Sequence, residues 1–395
     1  MQTIFLLDID CFFASVEMAL HPELRGKPVC VGGSPGERGI VSCPNYEARA
    51  YGVRTAMPLR TAGRLLPPEA VFLRGNHRLY GEYSDRVMTI LEEFTPDIEQ
   101  VSVDEAYMEV TGCLHFWKSP QHMAAAMKKR IWQECKLTVS IGIASNKVCA
   151  KIAAGLKKPD GLVCVPHGAE RTFLAPLPVE TVPGVGTKTL PKLHARGIVT
   201  IGDALTSAWA EESPLGRYLL AVVEGRHETV MHYDRAERSI SRDRTFGTDT
   251  ADTGLITATL YYLTERCCKT LRKRREHAGT VTVKVRFVDF TTIQKQTTLG
   301  MPTANEEDVF GAAQHLLYTL LPSQQMIRLV GVKVSHLSSA GEEGQMNLAL
   351  LPLERLGNLH CRLDALQEKH GYRCIHWGIT HPLQRMRESL EERHA

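Results

Sequence analysis

The order of hydrophobic periods constrains this chain more than any other feature. Residues 3–9 form a compact apolar run of strand length that ends among acidic residues. A helix-length stripe follows over residues 80–94, with Val87, Ile90, Leu91 and Phe94 on one face. Two strand-length runs come next, residues 98–103 and 106–110, then a helix over residues 122–135 and a strand over residues 137–144. This succession, β-α-β-β-α-β, predicts a ferredoxin-like split βαβ unit, an antiparallel sheet with helices on one face. It recurs in a strand near residues 240–246, a helix over 253–277, strands over 280–288 and 291–299, a helix over 305–321 and a strand over 327–336. In the second series Val281, Val283, Val285 and Phe287 alternate with Thr282, Lys284 and Arg286, which predicts one core face and one polar, partly basic face.

At 395 residues the chain is long enough for about two to four domains. Residues 11–75, between the first strand and the first helix, are too long for a loop and read as an inserted subdomain. Residues 166–232 are helical and punctuated by Pro176, Pro178, Pro183 and Gly184; the polar residues 233–241 read as an exposed linker. Residues 242–340 hold the second module, and 341–395 form a tail with helical spacing over residues 359–378. The expected class is thus α+β and multidomain.

Forty-seven Lys and Arg against 44 Asp and Glu leave a net charge of only +3, so a nucleic-acid partner has to be argued from local clustering. The eleven cysteines include no Cys-x-x-Cys pair, and only Cys267 and Cys268 adjoin, which excludes a zinc ribbon and a disulfide framework. They read as small buried hydrophobes of a reducing compartment. The opening MQTIFLLDIDCFF carries Asp8 and Asp10 inside its apolar run and lacks a basic start, unlike a signal peptide. No stretch approaches ~18 apolar residues. The expectation is a cytoplasmic protein without a membrane partner.

Asp8 ends the first strand, and Asp104 and Glu105 lie where two later strands meet in VSVDEAYMEV. In the ferredoxin-like order 4-1-3-2 the first strand pairs with the strand beginning at Glu105, so the three carboxylates can converge at one end of the sheet. Within a regular strand Asp104 and Glu105 would face opposite ways, and a backbone turn at the junction is needed to aim both at one metal. Facing acids repel unless cations lie between them, and hard oxygen ligands suit Mg²⁺. Such a site performs phosphoryl or nucleotidyl transfer with two ions. Taken alone, the same residues also fit solvated turn formers, or Asp-x-Asp opening an aspartyl-nucleophile phosphatase.

Five segments extend the pattern: LLDIDCFFASVE, IVSCPNYEARAYGVRTAMP, VSVDEAYMEVTG, SIGIASNKVCAKIAAGLKKPDGL and VPGVGTKTLPKLHARGI. In this order and spacing they closely resemble the Y-family DNA polymerases, DNA polymerase IV (DinB) branch, over residues 1 to about 380. The resemblance implies a palm (1–10 and 76–165), fingers (11–75), a thumb (166–232) and a little finger (242–340). It implies that Asp8, Asp104, Glu105 and the backbone carbonyl of Ile9 hold two Mg²⁺ ions, and it does not make Asp10 a ligand. Phe13 resembles the steric gate, an aromatic ring that excludes a 2′-hydroxyl. Tyr46, Arg49 and Lys158 resemble the residues that hold the incoming triphosphate, through charge-assisted bonds and a hydroxyl donor; Ser42 would lie near the templating base pair. Cys11, Pro44 and Val103 depart from the commoner pattern without removing a ligand.

Gly184, Val185 and Gly186, ahead of TKTLPKLHARG, have the form of a helix-hairpin-helix whose backbone meets a DNA phosphate without reading bases. Arg272, Lys273, Arg274 and Arg275 at the end of a long helix, with Arg242 and Arg244, read as a phosphate track whose binding would be salt-dependent. Within residues 345–351, Gln345, Leu348 and Leu350 resemble a sliding-clamp-binding peptide, with Met346 in place of the frequent Leu. The expected function is template-directed, low-fidelity translesion DNA synthesis without proofreading, by a monomer using primer-template DNA, deoxynucleoside triphosphates and a sliding clamp. The rivals are another nucleotidyl transferase on a palm fold and a catalytically silent DNA- and clamp-binding accessory subunit.

Overall fold

A computed structural model describes residues 2–224, 230–233, 237–321, 325–339, 351–371, 374–375 and 377–383. The chain forms two compact units, residues 1–235 and 236–395.

The first unit opens with β1 (Ile4–Ile9) and, across a left-handed Cys11 (φ 37°), α1 (Phe12–Leu20). A small sheet follows, built from β2 (Val29–Val31), β3 (Cys43–Pro44) and, beyond α2 (Tyr46–Ala50) and α3 (Leu59–Leu65), β4 (Val71–Leu73), in the order β3-β2-β4. Next come α4 (His77–Glu92), β5 (Ile98–Gln100), β6 (Glu105–Glu109), α5 (Pro120–Cys135), β7 (Val139–Ala144), α6 (Lys147–Leu156) and β8 (Leu162–Cys164). The main sheet runs β5-β6-β1-β7-β8, with β1 antiparallel to both neighbours. Its first four strands reproduce the expected 4-1-3-2 order.

Two features depart from the expected palm. The sheet gains β8, parallel to β7, and helices cover both of its faces. Phe5, Leu7 and Ile9 pack among Val87 and Leu91 of α4 and Met123 and Met127 of α5, while Ile4 and Leu6 pack among Val148, Ile152 and Ala153 of α6. The reason lies in β1 itself, which is apolar on both sides until Asp8, so one layer of helices cannot bury it. The approach of α6 is close enough to require Gly142, where an added Cβ would stand 2.0 Å from the Ala150 carbonyl oxygen. The insertion is also less separate than expected, since Phe12, Ala14 and Val16 of α1 join the palm core.

Five short helices complete the first unit: α7 (Glu170–Leu174), α8 (Leu190–His194), α9 (Ile201–Thr206), α10 (Trp209–Glu212) and α11 (Pro214–Val223).

The second unit holds β9 (Ser239–Thr250), α12 (Thr253–Arg274), β10 (Glu276–Phe287), β11 (Thr292–Thr303), α13 (Glu306–Leu320), β12 (Ile327–Ser339) and α14 (Leu351–His370). The predicted succession is present, but the strands run β11-β10-β12-β9, all antiparallel, which is not the split βαβ order. Polarity explains the arrangement. In β9 only Ile240 and Phe246 are buried, so it takes an edge, while β10 is central and buries even Thr280 and Thr282 on the side expected to be open. Residues 239–241, read from sequence as linker, are the start of β9.

Candidate active site

Asp8 and Glu105 are register partners across β1 and β6, on the face that α6 covers. Two lysines meet them there. Lys158, just past α6, pairs with Asp8, and Lys151 Nζ donates to both oxygens of Glu105 at 2.7 and 2.8 Å. Burial pushes the Asp8 carboxyl up to about 6 against the pull of Lys158, with Glu105 adding to the rise. Glu105 lies below the usual carboxylate range; burial opposes this, but the Lys151 ammonium outweighs it. Asp8 is therefore the harder of the two to ionise, because burial disfavours its charge, while the Lys151 ammonium favours the charged form of Glu105.

Asp104 lies at the bend before β6, its carbonyl accepting the Ile9 amide at 2.9 Å, so its backbone is anchored beside the end of β1. Its carboxylate accepts the Ser102 hydroxyl at 2.5 Å. The convergence expected of three acids is thus realised for two, and among the described residues no three His, Cys, Asp or Glu groups come together as ligands. The physical reason is repulsion: a neutral hydroxyl is a better neighbour for Asp104 than two carboxylates already sharing two ammonium groups. The donor chemistry nonetheless fits a hard divalent cation, since the oxygens of Asp8 and Glu105 face one another where flexible lysine side chains balance them.

The nucleotide-binding candidates surround this pair. Asn45, fully buried, caps α2 by accepting the Ala48 amide at 2.9 Å and also accepts the Val29 amide at 2.9 Å, fixing the helix to β2. Tyr46 and Arg49 then share one face, the guanidinium 5.0 Å from the ring centroid. The Tyr46 hydroxyl reaches Asp10 at 3.4 Å. Ser42 is half-buried, its amide donating to Val31 at 2.7 Å. Phe13 on α1 stacks on Tyr80 of α4 with centroids 4.4 Å apart and planes 14° apart, and the Tyr80 hydroxyl donates to Glu17 at 2.6 Å. Lys151, Tyr80 and Glu17 were not singled out from sequence. For Lys151 a signal existed: Lys147 and Lys151 stand four apart on one face of a short amphipathic helix begun by Asn146.

Known proteins resemble this chain over most of its length. The sequence matches the impB/mucB/samB family over residues 7–155, the C-terminal domain of that family over 237–348 and its HHH motif over 167–198. The chain is 41% identical over 385 residues to DNA polymerase IV of Dehalococcoides mccartyi strain CBDB1, covering 96% of this chain and 98% of that one. The chain belongs to the impB/mucB/samB family of Y-family DNA polymerases. DNA polymerase IV of Treponema denticola is 40% identical over 352 residues, 88% of each chain. A solved Y-family chimera, Dbh-Dpo4(243-245)-Dbh, matches with TM-score 0.78 at 28% identity, covering 85% of this chain and 99% of that one. The insertion ternary complex of Dbh DNA polymerase matches with TM-score 0.58 at 27% identity, covering 85% and 99%. The chain is accordingly a DNA-directed DNA polymerase of the translesion class.

In this Y-family polymerase the expected DNA contacts divide. At the thumb hairpin Gly184 adopts φ +98°, a conformation glycine supplies, and the backbone of Gly184 and Gly186 is exposed beside Lys188. The Val185 side chain is buried in the thumb core and cannot touch DNA. The helix that follows is only five residues long, and the amides of Thr189 and Leu190 already donate to the Gly186 carbonyl at 2.9 and 3.0 Å. Any phosphate contact therefore falls to the exposed hairpin rather than to that helix terminus.

The basic run on α12 is divided as well. Arg272 is not part of a phosphate track. It is half-buried, held between Glu306 at 2.7 Å and both oxygens of Asp364 at 2.8 and 3.1 Å, which ties α12 to α13 and α14. Arg274 pairs with Glu237 at 2.7 and 3.0 Å, and Lys284 pairs with Asp243. Arg242, Lys273 and Arg275 are exposed, and Arg244 is half-buried. Periodicity could not separate buried from exposed basic residues, because the acids that capture Arg272 lie 34 and 92 positions away.

The Arg272 cluster carries a pH-dependent prediction. Burial pushes Glu306 up to about 7 despite Arg272, and Glu265 and Asp364 add to the rise. The folded chain then keeps a proton that the unfolded chain, near 4.5, has released. Stability from this group is full below about 4.5 and is lost as pH rises through about 7, by on the order of 3 kcal/mol. Thermal melting between pH 5 and 8 should therefore fall less steeply in Glu306→Gln than in wild type. Identical slopes would remove Glu306 as the source.

Proposed function

We propose that this polymerase extends a primer 3′ end by two-metal nucleotidyl transfer, with Asp8, Asp104, Glu105 and the Ile9 carbonyl holding two Mg²⁺ ions. The observation that carries the reading is the register pairing of Asp8 with Glu105 at the sheet end, with Asp104 anchored beside them. Family membership implies a divalent metal in general, and carboxylate oxygens favour Mg²⁺ among the common ions. When bound, the pair of ions supplies charge stabilisation at the attacking and leaving oxygens.

The chain's own residues do the remaining work. Arg49 and Lys158 bind triphosphate oxygens by charge-assisted hydrogen bonds, Tyr46 donates a hydroxyl, and Ser42 lies near the templating base. Lys158 and Lys151 exchange their present carboxylate partners for the phosphates of the incoming nucleotide. Phe13, backed by Tyr80, fills the space a 2′-hydroxyl would need. The thumb hairpin and the exposed Arg242, Lys273 and Arg275, with Arg244, contact DNA phosphates without sequence preference. A site that selects its nucleotide through so few side chains implies low fidelity, with no proofreading.

The test is extension of a labelled primer in Mg²⁺ across an undamaged and a lesion-bearing template. Incorporation on both supports the reading; no deoxynucleotide added to either rejects it.

Gln345, Leu348 and Leu350 lie outside the described residues, and their clamp-binding role rests on their sequence pattern. Deleting residues 345–351 should abolish clamp-stimulated synthesis while basal synthesis persists. Undiminished stimulation would reject the peptide. The proposed protein works as a monomer in the cytoplasm; support for a reducing compartment comes from eleven free cysteines, seven of them buried. Among the described residues no helix is long and apolar enough to cross a membrane.

A further inference from the structure

Asp10 is the one acid of the opening motif without a place in the proposed chemistry, and it is completely buried. Burying a carboxylate is costly unless hydrogen bonds replace its water. Here three neutral donors do so. One oxygen accepts the Ser140 hydroxyl at 2.8 Å and the Tyr46 hydroxyl at 3.4 Å, and the other accepts the Asp160 amide at 2.7 Å. The donors come from β7, from α2 and from the loop after α6, so a single carboxylate joins three segments that are distant in sequence.

The loop after α6 is held at further points. The Gly161 amide donates to Ser140 Oγ at 3.1 Å, and Lys128 Nζ lies 2.9 Å from Asp160 Oδ1. Lys158 stands two residues before Asp160, just as Asp8 stands two before Asp10. The Asp8 to Lys158 ion pair and the Asp10 to Asp160 hydrogen bond therefore both join the segment at the end of β1 to the loop. Moving Asp10 would move both Lys158 and the Tyr46 hydroxyl relative to Asp8.

We propose that Asp10 is a positioning residue that sets the Tyr46 hydroxyl and the Lys158 ammonium at the spacing the triphosphate requires. It touches neither metal nor nucleotide. This rests on the triphosphate assignment of Tyr46 and Lys158, and the experiment separates the two.

Steady-state incorporation by the full-length chain is measured for Asp10→Asn, Tyr46→Phe, their combination and Lys158→Ala, with primer-template affinity measured alongside. An amide keeps one acceptor oxygen but turns an NH₂ group toward a donor. Asp10→Asn should raise the nucleotide KM about tenfold, change kcat by less than about threefold and leave primer-template affinity unchanged. Tyr46→Phe should add less on the Asp10→Asn background than alone, because the two residues form one unit. Should Asp10→Asn fail to fold, Ser140→Ala removes one donor, keeps the carboxylate and should raise the nucleotide KM in the same direction by a smaller factor. A raised KM for Lys158→Ala with none for Asp10→Asn or Ser140→Ala overturns the positioning role alone. If Lys158→Ala also leaves KM unchanged, the triphosphate assignment falls and the positioning role with it. Equal losses in kcat and DNA affinity, with KM unchanged, would mark a merely structural residue and overturn the proposal.

Discussion

Asp104→Ala is expected to slow primer extension in Mg²⁺ by on the order of 10³-fold, the loss that several kcal/mol of charge stabilisation would produce. Asp104 is the cleanest of the three acids to remove. Asp8 and Glu105 are each paired with a lysine, so replacing either would strand an ammonium group as well as a ligand. The Asp104 carboxylate accepts the neutral Ser102 hydroxyl, and the Asp104 backbone is fixed by the Ile9 amide, a bond that alanine keeps. Its loss should leave melting nearly unchanged, within the range of ordinary surface substitutions, about 0.5 kcal/mol. A large drop in rate at constant stability would thus report chemistry. Equal extension by wild type and variant would remove Asp104 from the metal set.

Phe13→Ala is expected to lower discrimination against ribonucleotides by about 10²-fold or more, because exclusion by overlap is lost outright once the ring is gone. The ring is held rigidly. It lies flat on Tyr80, edge-on to His77 with centroids 5.6 Å apart, and Tyr80 is itself fixed by the buried bond to Glu17. A gate that could swing aside would select poorly, so this support is part of the expectation. Competition between matched ribonucleotide and deoxynucleotide at one template position measures the effect. Unchanged sugar selectivity would eliminate Phe13 as the gate. Tyr80→Ala should relax selectivity in the same direction and by less, since it loosens the ring without deleting it.

The strands and helices of the two β-α-β-β-α-β successions were legible in the residue order. Hydrophobic period separates strands from helices, and the pairing of the first strand with the one beginning at Glu105 follows from the split βαβ pattern of the palm. That pairing, seen as Asp8 opposite Glu105, is the part of the site that the linear pattern could reach. The gate and triphosphate candidates could be named only because five motifs occur in one register. Considered singly, Phe13 is an apolar residue beside another Phe, and Arg49 is a cation on a short helix.

Whatever depends on what a side chain meets was decided by the tertiary structure. Period assigns a residue to a face of its own element but does not say which element will cover that face. For that reason α6 on the second side of the palm sheet, with Lys151, was not foreseen, and neither was the edge position of β9. The same limit made Arg272 look like a DNA contact and Asp10 like a spare acid. Both are held by partners many tens of residues away, and their chemistry follows from those partners. Sequence determined which groups this polymerase has and the strands that carry them; folding decided which of them face water, which face each other and which hold the rest in place, because burial and hydrogen bonding act through space.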